Sequence, residues 1–202
     1  MKPSDVTLAN PAADPDVQLM MRVRDGDAEA FRELFEKHSR SIVNFAYHFV
    51  GNRPRAEEIA QDVFLQIYRA APRYEPTAKF TTWLYRIATN ACLNEVRRPE
   101  HRHPRRSLEH QPDDERKRAE IAFPDPTAIP GDSALAGRQL EAKINAVLED
   151  LPPNQRAALL MSRVDGMSYL EVAEALETTE SAVKSLVFRA TATMRKELAE
   201  FL

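Results

Sequence analysis

Apolar positions recur along this chain every three or four residues and never in sustained alternation, which predicts an all-α protein. Asp14 followed by Pro15 is an N-cap with proline at the first helical position, opening a helix that runs to about Arg24 and stops at Gly26. The residues before it, 1–14, are expected to be disordered. A long helix from about Ala28 to Gly51 carries Phe31, Leu34, Phe35, Ile42, Phe45 and Phe49 at helical spacing. Pro54 opens a third, with Ile59, Val63, Ile67 and Ala70 inward, and Pro72 ends it. After the loop from Arg73 to Lys79, a fourth begins at Phe80 and places Leu84, Ile87, Ala88 and Ala91 on one apolar stripe. Its other face carries Tyr85, Arg86, Thr89, Asn90, Leu93 and Arg97. That surface, aromatic and hydrogen-bonding with a basic end, suits unpaired bases followed by a phosphate backbone. An ordinary amphipathic helix would show the same pattern. These four helices form a first bundle over 15–98.

Residues 99–132 break the periodicity. Pro99, Pro104, Pro112, Pro124, Pro126 and Pro130 interrupt any helix longer than a few turns, so the segment is expected to be a semi-extended linker. Helical spacing returns over 133–202, the second bundle. One helix runs to about Asp150, and another starts at Leu151-Pro-Pro153 and stops at Gly166. Ser168-Tyr-Leu-Glu171 is a capping box, and Thr179 caps a last helix from Glu180 to about Ala199. A short helix, a three-residue turn and a second helix have the spacing of a helix-turn-helix. With Val183, Leu186, Val187, Ala190 and Met194 inward, the outward face is Ser181, Lys184, Ser185, Phe188 and Arg189. Lys and Arg reach guanine edges or phosphates, Ser bonds either, and a phenyl ring meets a thymine methyl. Phe188 folded over the bundle edge is the alternative.

Composition narrows the function. The 202 residues are 43% hydrophobic and 29% charged, with a net charge of −3, too acidic to grip duplex DNA without help. The available cations cluster locally, at Arg97, Arg98, Arg102, Arg105 and Arg106. No apolar run approaches the roughly 20 residues of a membrane span, which argues against membrane insertion, and the first residues lack the apolar core of a signal peptide. The lone Cys92 pairs with nothing, and cytoplasmic location is expected. His101, His103 and His110 lie in the linker without partnering ligands, so no metal site is expected. No nucleophile–base pair or phosphate-cradling loop is evident, so neither an enzymatic role nor a cofactor or small-molecule substrate is expected.

Taken together, these segments resemble the extracytoplasmic-function sigma factors, the smallest bacterial promoter-recognition subunits. The resemblance runs from about Asp16 to Leu202 and rests on Arg55–Leu65, Phe80–Asn90, Leu151–Arg156, Ser168–Ala173, Ala182–Ser185 and Phe188–Ala190, in that order. It implies that 15–98 is sigma region 2 and 133–202 is sigma region 4. It further implies that Glu58, Gln61, Asp62 and Leu65 dock on the clamp helices of the RNA polymerase core, with the flap as a second contact. A routine solvated face would show the same residues. Tyr74, Lys79, Asn90, Arg97 and Arg98 would hold the −10 element of promoter DNA, Tyr74 by stacking on a flipped base and Asn90 by bonding its edge. Trp83 is expected to anchor the core with Phe80. The face of Ser181, Lys184, Ser185, Phe188 and Arg189 would read the −35 element. Members of this family are commonly held inactive by an anti-sigma factor. The sequence departs from the family at Glu177, where glycine is frequent in the left-handed turn, and at Leu186 and Thr191, where arginine is frequent. The competing reading is a stand-alone helix-turn-helix regulator that binds duplex, as a dimer, without polymerase.

Overall fold

A computed structural model describes residues 13–98 and 132–199, the side chains of 132–139 excepted. The regular structure among the described residues is helical: α1 (Pro15–Arg24), α2 (Ala28–Val50), α3 (Arg53–Ala70), α4 (Phe80–Arg97), α5 (Asp132–Asp150), α6 (Pro153–Arg163), α7 (Tyr169–Ala175) and α8 (Glu180–Glu197). The expected linker lies almost wholly outside the described residues, together with Arg102, Arg105, Arg106 and the three linker histidines. So do residues 1–12. Among the described residues no helix is long and apolar enough to cross a membrane.

Local chemistry sets most helix ends. The Asp27 carboxylate accepts from the amides of Glu29 and Ala30, and Asn52 accepts from Arg55, which starts α3 one residue before Pro54. Gly51 ends α2 at φ 63°, and a side chain there would run into the carboxylate of Glu149 on α5. Lys79, at the N-cap of α4, offers no capping side chain. Asp14 does the work instead: its Oδ1 caps α1 through the amide of Asp16 (3.0 Å), while Oδ2 accepts from the amide of Phe80 (3.1 Å). One carboxylate therefore fixes the first and fourth helices to each other.

Met20, Leu34, Ile42, Val63, Ile67, Phe80 and Leu84 of α1–α4 and Met161, Val172 and Val183 of α6–α8 belong to one continuous buried apolar cluster. Burial of α4 departs from expectation. Leu84 and Ala88 are buried, but Ile87 and Ala91 are only half-buried, whereas Tyr85 and Thr89, expected on the outer face, are buried with Cys92 and Glu95. The reason is two-sided packing, with α2 and α3 against one flank of α4 and α6 and α7 against another. Tyr85 donates to Asp165, in the loop after α6, and accepts from Ser41.

The same seam continues along α2. Arg156 of α6 donates from Nη1 to the Phe49 carbonyl (2.8 Å) and from Nη2 to the carbonyls of Glu149 and Leu151, with its guanidinium 5.3 Å from the Phe49 ring centroid. His48 Nδ1 meets Asn145 Oδ1 at 3.0 Å, and Asn145 donates to the Tyr47 hydroxyl at 3.4 Å. A buried cation on the orphan carbonyls at a helix C-terminus is a favourable pairing with the helix dipole.

Candidate nucleic-acid interface

Three surfaces bring together the residues expected to carry function. The first is α4 and the loop before it. Asn90, Arg97 and Lys79 are exposed. Arg98 is exposed and pairs with Glu95 (3.2 Å), a carboxylate buried on α4 that also receives Arg55 at 2.7 and 2.6 Å in a two-pronged bond. These bonds from Glu95, with a further one from Glu58, hold the Arg55 guanidinium above its ordinary pKa. The signal for this clamp was available in the sequence: Glu95 continues the buried row Ala88, Cys92 at helical spacing, where a lone acid demands a cation.

Tyr74 does not present a stacking face. Only 6% exposed, it packs on Trp83 with ring centroids 4.9 Å apart, and its hydroxyl finds no hydrogen-bond partner. Burial raises that hydroxyl to about pKa 12. Trp83 in turn meets Phe80 edge to face at 6.1 Å and is half-buried, in keeping with an anchoring role. The loop between Pro72 and Lys79 is short and folds back, and that topology, invisible to a local pattern, turns the ring inward. Lys79 is also engaged, its Nζ 2.6 Å from Glu171 Oε1 on α7, and this contact holds its pKa above the ordinary value.

The second surface is the outer face of α3, where Glu58, Gln61, Asp62 and Leu65 are all exposed. Beyond Leu65 it continues to exposed apolar side chains that the sequence reading missed, Tyr68 and Phe35. Leu65 (49% exposed), Tyr68 (55%) and Phe35, which was expected inward, all reach the surface, and Phe31 and Tyr68 stack edge to face at 5.1 Å. Phe35 rests one edge on Phe64 of α3, with ring centroids 4.9 Å apart, and leaves the rest of its ring to solvent, which helical spacing alone does not report.

The third surface is the helix-turn-helix. The capping box at Ser168 and Glu171 is complete, and Thr179 Oγ1 accepts from the Ala182 amide at 3.2 Å. Between the helices Glu177 adopts φ 51°, the left-handed conformation expected at that turn. Val183, Val187 and Ala190 are buried, leaving Ser181, Lys184, Ser185, Phe188 and Arg189 exposed on one side of α8. Phe188 projects into solvent, 75% exposed, rather than folding over the bundle edge. Lys184 pairs with Glu180 one turn back (2.7 Å), a surface contact that DNA phosphates would readily displace.

Comparison with known proteins gives this arrangement a family. The profile for Sigma-70 region 2 matches residues 34–102, and that for Sigma-70, region 4 matches 141–194. The RNA polymerase sigma-H factor of Pseudomonas aeruginosa is 30% identical over 203 residues, spanning 94% of this chain and 96% of that protein. The chain belongs to the sigma-70 family. Within it, the chain is an extracytoplasmic-function sigma factor: the ECF RNA polymerase sigma factor SigW of Bacillus subtilis is 27% identical over 188 residues, 89% of this chain and 94% of that one. The fold agrees, since the sigma factor RpoE of Bartonella quintana, solved with the anti-sigma factor NepR, superposes with a TM-score of 0.59 at 18% identity, over 85% of this chain and 98% of that one. As a sigma factor, this protein serves RNA polymerase in transcription initiation. Its helix-turn-helix lies inside the region 4 match as far as residue 194, and α3 and α4 lie inside region 2.

Proposed function

We propose that the three surfaces divide the work of initiation among themselves. The α3 face of Glu58, Gln61, Asp62 and Leu65 docks on the clamp helices of polymerase core, where an acidic and amide surface beside exposed apolar side chains complements a basic helical hairpin. Lys79, Asn90, Arg97 and Arg98 hold the opened −10 element. Tyr74 joins them only if its loop lifts away from Trp83. Region 4 meets the polymerase flap and reads the −35 element through Ser181, Lys184, Ser185, Phe188 and Arg189. Residues 15–98 and 133–202 act as the two bodies and the proline-rich segment as their tether, in the cytoplasm. The observation that carries this reading is the α8 face, with five polar, basic or aromatic side chains exposed opposite the buried Val183, Val187 and Ala190. An anti-sigma partner is part of the proposal, supported by the RpoE–NepR likeness.

Run-off transcription from fragmented genomic DNA, with polymerase core in the presence and absence of the protein, tests the assignment. Discrete new transcripts that require the protein are expected, and their start sites reveal the promoter motif. If no transcript appears and gel filtration detects no core binding, a stand-alone regulator replaces the proposal.

A further inference from the structure

A buried carboxylate needs a reason, and α4 carries one at the end proposed to face DNA. Glu95 is only 3% exposed. Taking an acid out of water is unfavourable unless cations and hydrogen bonds meet it, and an apolar pair of similar volume often holds two helices equally well. Stability alone therefore does not account for a glutamate here. Its surroundings do. Arg55 of α3 closes on it in a two-pronged bond, Nε to Oε1 at 2.7 Å and Nη2 to Oε2 at 2.6 Å, so the charge is already matched from the α3 side. Arg98 then approaches the same carboxylate, Nη1 to Oε2 at 3.2 Å, and its backbone amide donates to the Glu95 carbonyl at 3.0 Å. Arg98 is the residue at which α4 ends, in extended backbone conformation. A long side chain at such a place ordinarily samples many rotamers, and ordering it on binding costs affinity. Here Glu95 fixes both its main chain and its side chain.

We propose that Glu95 is a positioning residue for the −10 strand, holding the Arg98 guanidinium where the sugar–phosphate backbone passes. The inference rests on the assignment of Arg98 to that strand and adds the residue that sets its geometry. A one-pronged contact suits the task. A guanidinium carries five N–H donors in a rigid fork, so one bond to Glu95 leaves the outer edge of a side chain that is 58% exposed for a phosphate. Nor does Glu95 cancel the charge it presents. Two arginines against one buried carboxylate leave this end of α4 cationic, and the further acid, Glu58, meets Arg55 from α3 with its side chain 60% exposed, where solvent and salt screen it.

The test uses holoenzyme assembled from polymerase core and the full chain, on a promoter fragment recovered from the run-off transcripts and left unpaired across the −10 element. Core docking, to which neither Glu95 nor Arg98 is assigned, verifies that each variant is folded. Arg98→Ala should weaken DNA binding about three- to tenfold and flatten the slope of log affinity against log salt by roughly 0.7, the share of one phosphate on a single strand. Glu95→Gln keeps the shape of the side chain but loses the charge that draws Arg98 in. It should lower affinity and slope by up to the same amounts, and in the Arg98→Ala background it should change neither, because both act through one guanidinium. Glu95→Asp retains the charge for Arg55 and withdraws the carboxylate by one methylene; the same pattern is expected of it, and it serves where the amide variant does not fold. A side chain that only held α3 to α4 would behave otherwise. Its loss would reduce the amount of folded protein, leave the salt slope alone and add to Arg98→Ala, and that outcome overturns the positioning role. Tighter binding by Glu95→Gln overturns it too, since the carboxylate would then compete with the phosphate. If Arg98→Ala changes nothing, the assignment of Arg98 to the strand fails and the inference with it, whereas a Glu95 effect independent of Arg98 removes the inference alone.

Discussion

At the level of single residues, exposure separates side chains that present chemistry from those that support it. Tyr74 belongs to the second kind. Tyr74→Ala should cost about 3 kcal/mol by opening a cavity beside Trp83. Tyr74→Phe, which removes a buried hydroxyl without a partner, should leave stability unchanged or raise it. Urea denaturation of the two variants checks this, and a stable Tyr74→Ala would mean that the ring is free in solution. The pair Lys184→Ala and Arg189→Ala touches only exposed positions and should weaken promoter binding by the holoenzyme while core docking is unaffected. The salt dependence of promoter affinity should flatten with it, as fewer phosphates are neutralised. If occupancy and salt slope both persist, the recognition face lies elsewhere on α8. The face of α8 was legible in the sequence because one apolar row and one capped start determine it. The burial of Tyr74 was not, because it depends on how a six-residue loop folds back onto its neighbours.

The helices themselves follow from caps and breakers more than from propensity. Asp14, Asp27, Asn52, Ser168 and Thr179 each accept an amide at the start of a helix, and every one of these starts falls within a residue of where the sequence places it. Asp14 goes further by capping α4 as well, so Asp14→Ala should destabilise α1 and α4 together, by about 1–3 kcal/mol in a thermal or chemical melt. Loss from one helix only, read by amide exchange, would contradict a shared cap. The turn at Glu177 behaves in the opposite sense. Glu177→Gly alone should raise the stability of the second bundle by up to about 1 kcal/mol, because glycine adopts φ 51° without steric cost. What the sequence could not report is the width of the buried face on α4. A helix enclosed on two sides buries Tyr85 and Thr89, which a single-face pattern assigns to solvent, and nothing local states how many neighbours a helix will have.

The whole molecule is held together by a seam in which one acid is sensitive to pH. Asp165 sits in the loop after α6, and burial against Tyr85 raises its carboxyl from the ordinary 3.8 to about 6. In the closed arrangement the proton is therefore held more tightly than it would be with Asp165 in water. Closure is favoured by protonation below the ordinary value, and that advantage is lost as pH rises through about 6. Glu171 at the same contact does not share this behaviour. For Glu171 burial pulls upward, but bonds from Lys79 and Ser168 outweigh it and hold the carboxyl below its usual range, so this acid stays ionised over the same window. The closed population should thus fall on the order of tenfold between pH 4.5 and 7.5 at constant salt, read by energy transfer between labels on α3 and α8. The control is Asp165→Asn. An amide keeps a hydrogen bond with Tyr85 and carries no proton to lose, and it should remove most of the pH dependence. A slope that survives Asp165→Asn would show that Asp165 is not the group responsible. A distance that does not change with pH in the unmodified chain would mean that Asp165 is already solvated, and that the bundles stand apart in solution.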